Sequence, residues 1–294
     1  MCEDTMRFID LYERVSACEP KNCNVVNPEA DSVFEGLRQA ADQGLIRLRL
    51  FGNRALIEEK AEQHQLKISA VYHAPSPVEA AVAAIADIRE GGGDLIMKGD
   101  IPTADFMKPL LDKEKGLRTG KVLSHVAVCD TPAYPQLLFA ADGGINIAPD
   151  LDTKREITEG TVAFAEKILG RKPRIAFAAV IEKVNPKIPA TGDAFELARE
   201  YTERGYPAEG PMALDVILSE DAARKKGIQS QISGKVDVII FPEITPANFM
   251  IKQMIFLEQA KAGGLILNAS VPVIVLSRSD TAETKLNSIV LSLL

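Results

Sequence analysis

Cysteine, histidine and long apolar runs are all scarce in this chain, and each scarcity removes a class of function. The four cysteines, Cys2, Cys18, Cys23 and Cys129, form no CxxC pair and have no histidine-rich partner segment, so zinc and dithiol redox roles lack support and free thiols in a reducing compartment are expected. His64, His73 and His125 are scattered, with no spacing that resembles a metal site. No apolar run approaches the roughly 20 residues of a membrane span, and the start, Met1 to Arg14, lacks the basic and apolar regions of a secretion signal. The expectation is a cytoplasmic protein that does not engage a membrane. Positive charge is also in deficit. Lys and Arg number 34 against 41 Asp and Glu, a formal net charge of −7, so the overall field repels polyanions and argues against a nucleic-acid binder. Any anionic ligand must find a local basic patch. Neither GxGxxG nor GxxxxGK[ST] occurs, which leaves a Rossmann dinucleotide site and a P-loop without sequence support.

What is present is a globular pattern, 46% hydrophobic and 26% charged over 294 residues, enough for one large domain or two of ordinary size. Short apolar runs alternate with helical segments, the mark of an α/β protein with a mainly parallel sheet. Strands are expected at Ile68 to Tyr72, Leu95 to Met97, Val122 to Val128, Leu137 to Ala140, Ile175 to Val180, Val236 to Phe241, Leu265 to Leu267 and Val273 to Leu276. A helix over Val78 to Arg89 ends at Gly91, Gly92 and Gly93. Thr153 with Glu156 reads as a capping box for a helix that stops at Gly170. Thr245 with Pro246 reads as the start of another, closed by Gly263 and Gly264. The Pro-containing stretch Asp130 to Pro135 and a return near Gly263 to Pro272 divide the chain into a first domain, 1–131 with 266–294, and a second, 132–265.

Ligands on open α/β sheets gather where strands end and helix N-termini present free N–H groups. At the turn Met97-Lys98-Gly99-Asp100-Ile101-Pro102-Thr103, a strand ends in a lysine and a glycine before a helix begins, an arrangement suited to an anion. Lys108, Lys113, Lys115, Arg118 and Lys121 follow; a solvated basic helix face would look the same. A second turn, Ser277-Arg278-Ser279-Asp280-Thr281-Ala282-Glu283, follows the apolar run that ends at Leu276. Its arginine can grip phosphate bidentately and its hydroxyls can donate to an oxyanion, although Asp280 and Glu283 also have the spacing of an acidic capping box. Glu182 to Thr191 is a polar, proline-containing loop after a buried strand, and Gly210 to Asp215 is a turn before a helix.

Taken together these segments resemble the phosphate acetyltransferase and phosphate butyryltransferase family, more closely its butyryl branch. The resemblance rests on Met97-Lys98-Gly99 with Thr103, Lys108-Pro109-Leu110-Leu111, Gly116-Leu117-Arg118-Thr119-Gly120 and Leu123-Ser124-His125-Val126. It continues through Glu182 to Thr191, Gly210 to Asp215, Phe241-Pro242 with Asn248, and Ser277-Arg278-Ser279-Asp280 on to Lys285-Leu286-Asn287. It covers about Leu45 to Leu294 in unbroken order, whereas residues 1 to about 30 carry little of it. The resemblance implies two αβα domains with a cleft between them, similar to the isocitrate and isopropylmalate dehydrogenase-like fold, and a homodimer or higher homo-oligomer. It also implies reversible transfer of a short acyl group between coenzyme A, a substrate here and not a cofactor, and inorganic phosphate.

By the same resemblance Ser277 and Arg278 match the pair beside the thioester carbonyl and phosphate. The family's base maps less cleanly: where the acetyl branch has an aspartate this chain has Thr284, so the role passes to Asp280 or Glu283. Lys108 stands where the acetyl branch has an arginine, which keeps the charge but loses the planar fork. The residues expected to bind substrate are Lys98, Thr103, Lys108, Arg118, Glu182, Asn185, Thr191, Asp215 and Asn248, and no metal ligand is expected. The rival readings are an idle CoA- or acyl-phosphate-binding regulatory module and a metal- and NAD-dependent decarboxylating dehydrogenase of the same fold.

Overall fold

The computed structural model describes residues 5–277 and 280–294. The elements run α1 (Phe8–Ser16), β1 (Lys21–Val26), α2 (Asp31–Asp42), β2 (Ile46–Gly52), α3 (Arg54–Gln63), β3 (Ala70–His73), α4 (Pro77–Arg89), β4 (Leu95–Lys98) and α5 (Thr103–Leu110). They continue with β5 (Ser124–Asp130), β6 (Leu138–Ala141), α6 (Leu151–Leu169), β7 (Ile175–Ala178), α7 (Pro189–Glu203), β8 (Ala208–Met212), α8 (Leu214–Leu218) and α9 (Glu220–Lys225). Last come β9 (Val238–Ile240), α10 (Ile244–Phe256), β10 (Lys261–Leu267), β11 (Val273–Ile274) and α11 (Ala282–Leu293). The chain is α/β, with mainly parallel strands, and divides into two compact units.

The unit formed by Ile9–Leu123 and Ala262–Leu294 has strand order β3-β2-β1-β4-β11-β10, parallel except where β10 meets β11. Strands β1, β2 and β3 step outward in one direction, and β4 then returns to the other side of β1. Because βαβ crossovers are right-handed, that reversal puts α4 on the opposite face from α2 and α3. Helix α11 packs on α2, and α5 on α4. With both faces covered, every residue of β4 is buried.

The other unit, the residues up to Phe8 with Ser124–Lys261, has order β5-β6-β9-β7-β8, parallel except between β5 and β6. A buried charge ties its amino edge. Asp237, just before β9, is 0% exposed. Its carboxylate accepts from Arg171 at 2.9 Å, from the Arg174 backbone N–H at 2.7 Å and Nε at 3.0 Å, and from Gln136 at 2.6 Å.

Several local expectations are revised. β1 and β2 lie outside the expected strands because polar residues interrupt them: Arg47 and Arg49 alternate with Leu48 and Leu50 in β2, and Asn24 sits fully buried in β1 with its amide donating to Ala84 and Asp87. β8 contains Gly210-Pro211 and is still a strand, since at a sheet edge the missing proline N–H costs no ladder bond. Helix α6 is capped by Asp150, which accepts from the Thr153 N–H, and not by Thr153. Helix α10 is capped by Glu243 in place of Thr245. Gly263 and Gly264 do not end that helix; they lie in β10, where a Cβ on Gly263 would come within 2.9 Å of the Asn287 backbone in α11. The glycines at Gly91 and Gly170 do stop their helices, with φ of 84° and 69°.

Replacing Asp237 by Asn would leave two partly exposed arginines facing a neutral, fully buried group. The expected loss of unfolding free energy is about 3–5 kcal/mol, read from urea denaturation against the parent chain.

Candidate active site

The reversal of strand order between β1 and β4 makes a switch point, and the crevice outside the carboxyl ends of such strands is where α/β folds bind ligands. Here it is built around Asn27, the residue after β1, which holds φ 51° and is 4% exposed. Its N–H donates to Phe51 of β2 at 2.7 Å, its carbonyl accepts from the Asp100 N–H at 2.7 Å, and its side-chain amide donates to the Asp100 carbonyl at 2.7 Å. Gly99 lies against this knot; a Cβ there would come within 2.5 Å of the Asn27 and Val26 carbonyl oxygens. The knot therefore sets where Lys98 leaves the sheet. Lys98 is 7% exposed, and its ammonium donates to the Gly99 carbonyl at 3.2 Å.

Helix α5 opens at Thr103, which is exposed, after Pro102, which provides no side-chain cap. Its N-terminus adds partial positive charge at the same sheet edge. Lys108 sits in the last turn of α5, exposed. Arg118, also exposed, is held by pairing with Ala269, and the string is laced further by Thr119 donating to Asn268 at 2.6 Å and Asn268 donating to Val122 at 2.8 Å. In the turn between, the Asp112 carboxyl is held low by the backbone N–H of Lys115 and then of Glu114.

β11 is the parallel neighbour of β4, with Val273 opposite Ile96 and Ile274 opposite Met97, so the chain emerges beside Lys98 and reaches Ser277 at the same edge. Ser277 and Asp280 close on each other: the Ser277 N–H donates to the Asp280 carboxylate at 2.7 Å, and the Asp280 N–H donates to the Ser277 carbonyl at 3.1 Å. Arg278 lies outside the described residues. The cap of α11 is Thr281, which accepts from the Thr284 N–H at 3.1 Å, so Asp280 shapes the turn and does not form the acidic capping box. Glu283 is exposed in the first turn of α11. Burial, and then the charge of Glu283, push the Tyr12 hydroxyl up to about 12.

In the other unit the remaining predicted residues fall into separate groups. Glu182, after β7, and Asp215, after β8, share the ammonium of Lys226, at 2.8 and 2.9 Å, and that hydrogen bond lowers the Asp215 pKa. Thr191 is fully buried; its hydroxyl accepts from the Asn185 N–H at 2.8 Å and donates to Ile188 at 2.7 Å. The Asn185 side chain accepts from the Lys187 N–H at 2.9 Å. These two residues shape the loop that leads into α7. Asn248 donates to the Gly143 carbonyl at 3.0 Å, beside the turn that Asp142 holds through the N–H groups of Gly144, Ile145 and Asn146. Among the described residues no three His, Cys, Asp or Glu side chains gather in a way that could hold a metal ion.

Lys98, Thr103, Ser277, Asp280 and Glu283 thus belong to one sheet edge in one unit. The family model described as Phosphate acetyl/butaryl transferase matches residues 74–293. The chain belongs to the phosphate acetyl/butyryl transferase family. It is 35% identical to the phosphate butyryltransferase of Clostridium acetobutylicum over 98% of this chain and 97% of that protein. It is 37% identical to the phosphate acetyltransferase of Thermotoga maritima over 97% of this chain and 98% of that one. Among solved structures it resembles a branched-chain phosphotransacylase from Enterococcus faecalis V583, with a TM-score of 0.81 and 25% identity over 92% of this chain and 97% of that one. The family match does not favour the dehydrogenase or the idle-module reading.

Two residues that organise these sites escaped sequence reasoning. Asn27 lies in the part of the chain with little family resemblance, and its only signal is a polar residue directly after the apolar pair Val25-Val26. Lys226 sits in an ordinary charged helix end and gives no signal at all.

Gly99→Ala should destabilise the protein by about 1–3 kcal/mol, as overpacking against backbone does. Gly192→Ala, inside α7 with nothing within 4 Å of a new Cβ, should stabilise it by about 0.5–1 kcal/mol. Paired urea titrations check the opposite signs.

Proposed function

We propose that this protein transfers a short-chain acyl group reversibly between coenzyme A and inorganic phosphate, and that it uses a butyryl-sized group in preference to acetyl. The observation that carries the reading is the convergence of Lys98 and the Ser277–Asp280 turn at one switch point, in a chain of this family.

In the direction of acyl phosphate formation, a phosphate oxygen attacks the thioester carbonyl carbon. The C=O electrons move onto oxygen, and collapse of the tetrahedral intermediate expels the CoA thiolate. The proton lost by the phosphate nucleophile passes to a carboxylate and is then available to the departing sulfur, so acyl-CoA and phosphate become acyl phosphate and CoA. Arg278, with Lys98 or Lys108, positions the phosphate, and the Ser277 hydroxyl donates to the oxyanion. Asp280 or Glu283 carries the proton. In reverse, the free thiol has a pKa of roughly 8.5, and a cationic surround raises its reactive fraction.

Glu182, Asn185, Thr191, Asp215 and Asn248 then act at one remove. The Glu182–Lys226–Asp215 group and the Thr191-closed loop shape the surface presented by their unit, and Arg118 and Thr103 supply charge and helix N–H groups for the CoA phosphates. Among the described residues no helix is long and apolar enough to cross a membrane. A cytoplasmic location and a homodimer or higher homo-oligomer complete the reading. The exposed Ile147, Val180, Phe249 and Phe256 of the Ser124–Lys261 unit support the dimer.

Ser277→Ala should lower kcat about a hundredfold, the usual value of one oxyanion donor, and Arg278→Gln should lower kcat/KM at least about a hundredfold. Both are read as phosphate-dependent release of free CoA by folded variants, and near-parental kinetics for Arg278→Gln would remove the central residue. The acyl preference is checked in the same assay with acetyl-, propionyl-, butyryl- and isobutyryl-CoA, where kcat/KM for butyryl-CoA should exceed that for acetyl-CoA.

A further inference from the structure

A cation lies buried beside the Ser277–Asp280 turn. Lys285, one turn into α11, is 3% exposed. Its aliphatic stem runs over Gly36 of α2, where a Cβ would come within 2.8 Å of the Lys285 Cβ and 2.9 Å of its Cδ. The stem occupies the space that a side chain at position 36 would need. Among the described residues the ammonium donates one side-chain hydrogen bond, at 2.5 Å to the Asp280 carbonyl, and enters no ion pair. Burial lowers its pKa, against the opposing pull of Asp280 and of Glu35 on α2.

Folding does not account for this charge. A buried ion whose one acceptor among the described residues is a neutral carbonyl is costly, and an apolar side chain of similar length in its place is typically neutral or stabilising. The carbonyl it holds belongs to the residue whose carboxylate closes the turn on Ser277, so the ammonium is tied to that turn and, among the described residues, not held in an ion pair.

We propose that Lys285 is a positioning residue for the phosphate group: it fixes the Ser277–Asp280 turn through the Asp280 carbonyl, and it adds a positive potential there. This rests on the reading of that turn as the phosphate site.

The test is Lys285→Met in the full-length protein, with steady-state kinetics in phosphate and in butyryl-CoA and thermal unfolding of the same preparations. The expected result is a KM for phosphate raised at least about tenfold, a KM for butyryl-CoA within about threefold of the parent, a kcat lowered by less than Ser277→Ala lowers it, and a melting temperature unchanged or higher. A lower melting temperature with kcat and both KM values impaired together would make Lys285 merely structural. An unchanged phosphate KM in a folded, active variant would overturn the proposal outright. Glu35→Gln is the second arm: Glu35 is exposed, so the variant should fold, and removing its competing charge should lower the phosphate KM. If Lys285→Met does not fold, an unchanged phosphate KM in Glu35→Gln overturns the proposal by itself. Absence of phosphate-dependent CoA release by the parent protein would remove the functional reading and this inference with it. A parent that is active and impaired by Ser277→Ala, with Lys285→Met unaffected, would remove this inference alone.

Discussion

The knot at the ends of β1 and β4 is the constraint from which the rest of the site follows. Where strand order reverses, two crossover helices must leave in opposite directions, and the strand ends between them are uncovered. Backbone groups left there would be costly unless bonded. Asn27 satisfies them by taking a left-handed conformation, which asparagine tolerates better than most residues, and by donating its side chain across to Asp100. That solution allows no side chain at Gly99. Lys98 is consequently delivered to the sheet edge within a rigid frame, and β11, hydrogen-bonded in parallel to β4, brings Ser277 to the same edge.

The broad plan was legible because parallel strands buried on both faces read as plain apolar runs. Leu95 to Met97 and Ile175 to Val180 are of that kind, and both are strands, the second shorter than its apolar run. What was hidden depended on partners far along the chain. β2 looks half charged, but Arg49 is neutralised by Asp87 of α4 and lies over the Tyr72 ring at 5.0 Å, a cost and a compensation visible only in three dimensions. β8 carries a glycine and a proline that would disrupt a central strand and are harmless at an edge. Helix starts are legible to within a few residues, but the capping side chains are not, because Asp150, Glu243 and Thr281 compete with neighbours of equal propensity.

The candidate site divides along the same line. Motif order pointed to the Lys98 and Ser277 segments because their local chemistry is unusual for loops in an acidic chain. It did not separate residues that face a ligand from residues that build the loop. Thr191 shows the difference: its motif position marks it for substrate, while its buried hydroxyl serves the backbone of Asn185 and Ile188. Glu182 and Asp215, 33 positions apart in the numbering of the chain, meet only because Lys226 stands between them.

A protein of net charge −7 that handles two polyanionic substrates faces an electrostatic problem. Lys108 and Arg118 are exposed, and in solution the fields of such cations fade over a Debye length of about 8–10 Å. A cation drawn out of water acts through a medium of lower effective dielectric and holds a nearby anion more strongly. Lys98 and Lys285, both buried and both bonded to backbone carbonyls of the turns they serve, meet that requirement. Gly99 leaves room for the chain reversal beside Lys98, and Gly36, within helix α2, leaves room for the stem of Lys285. An overall acidity and a local anion site are therefore compatible for a specific reason: sheltered cations fixed by backbone geometry act at short range, whatever the sign of the net charge.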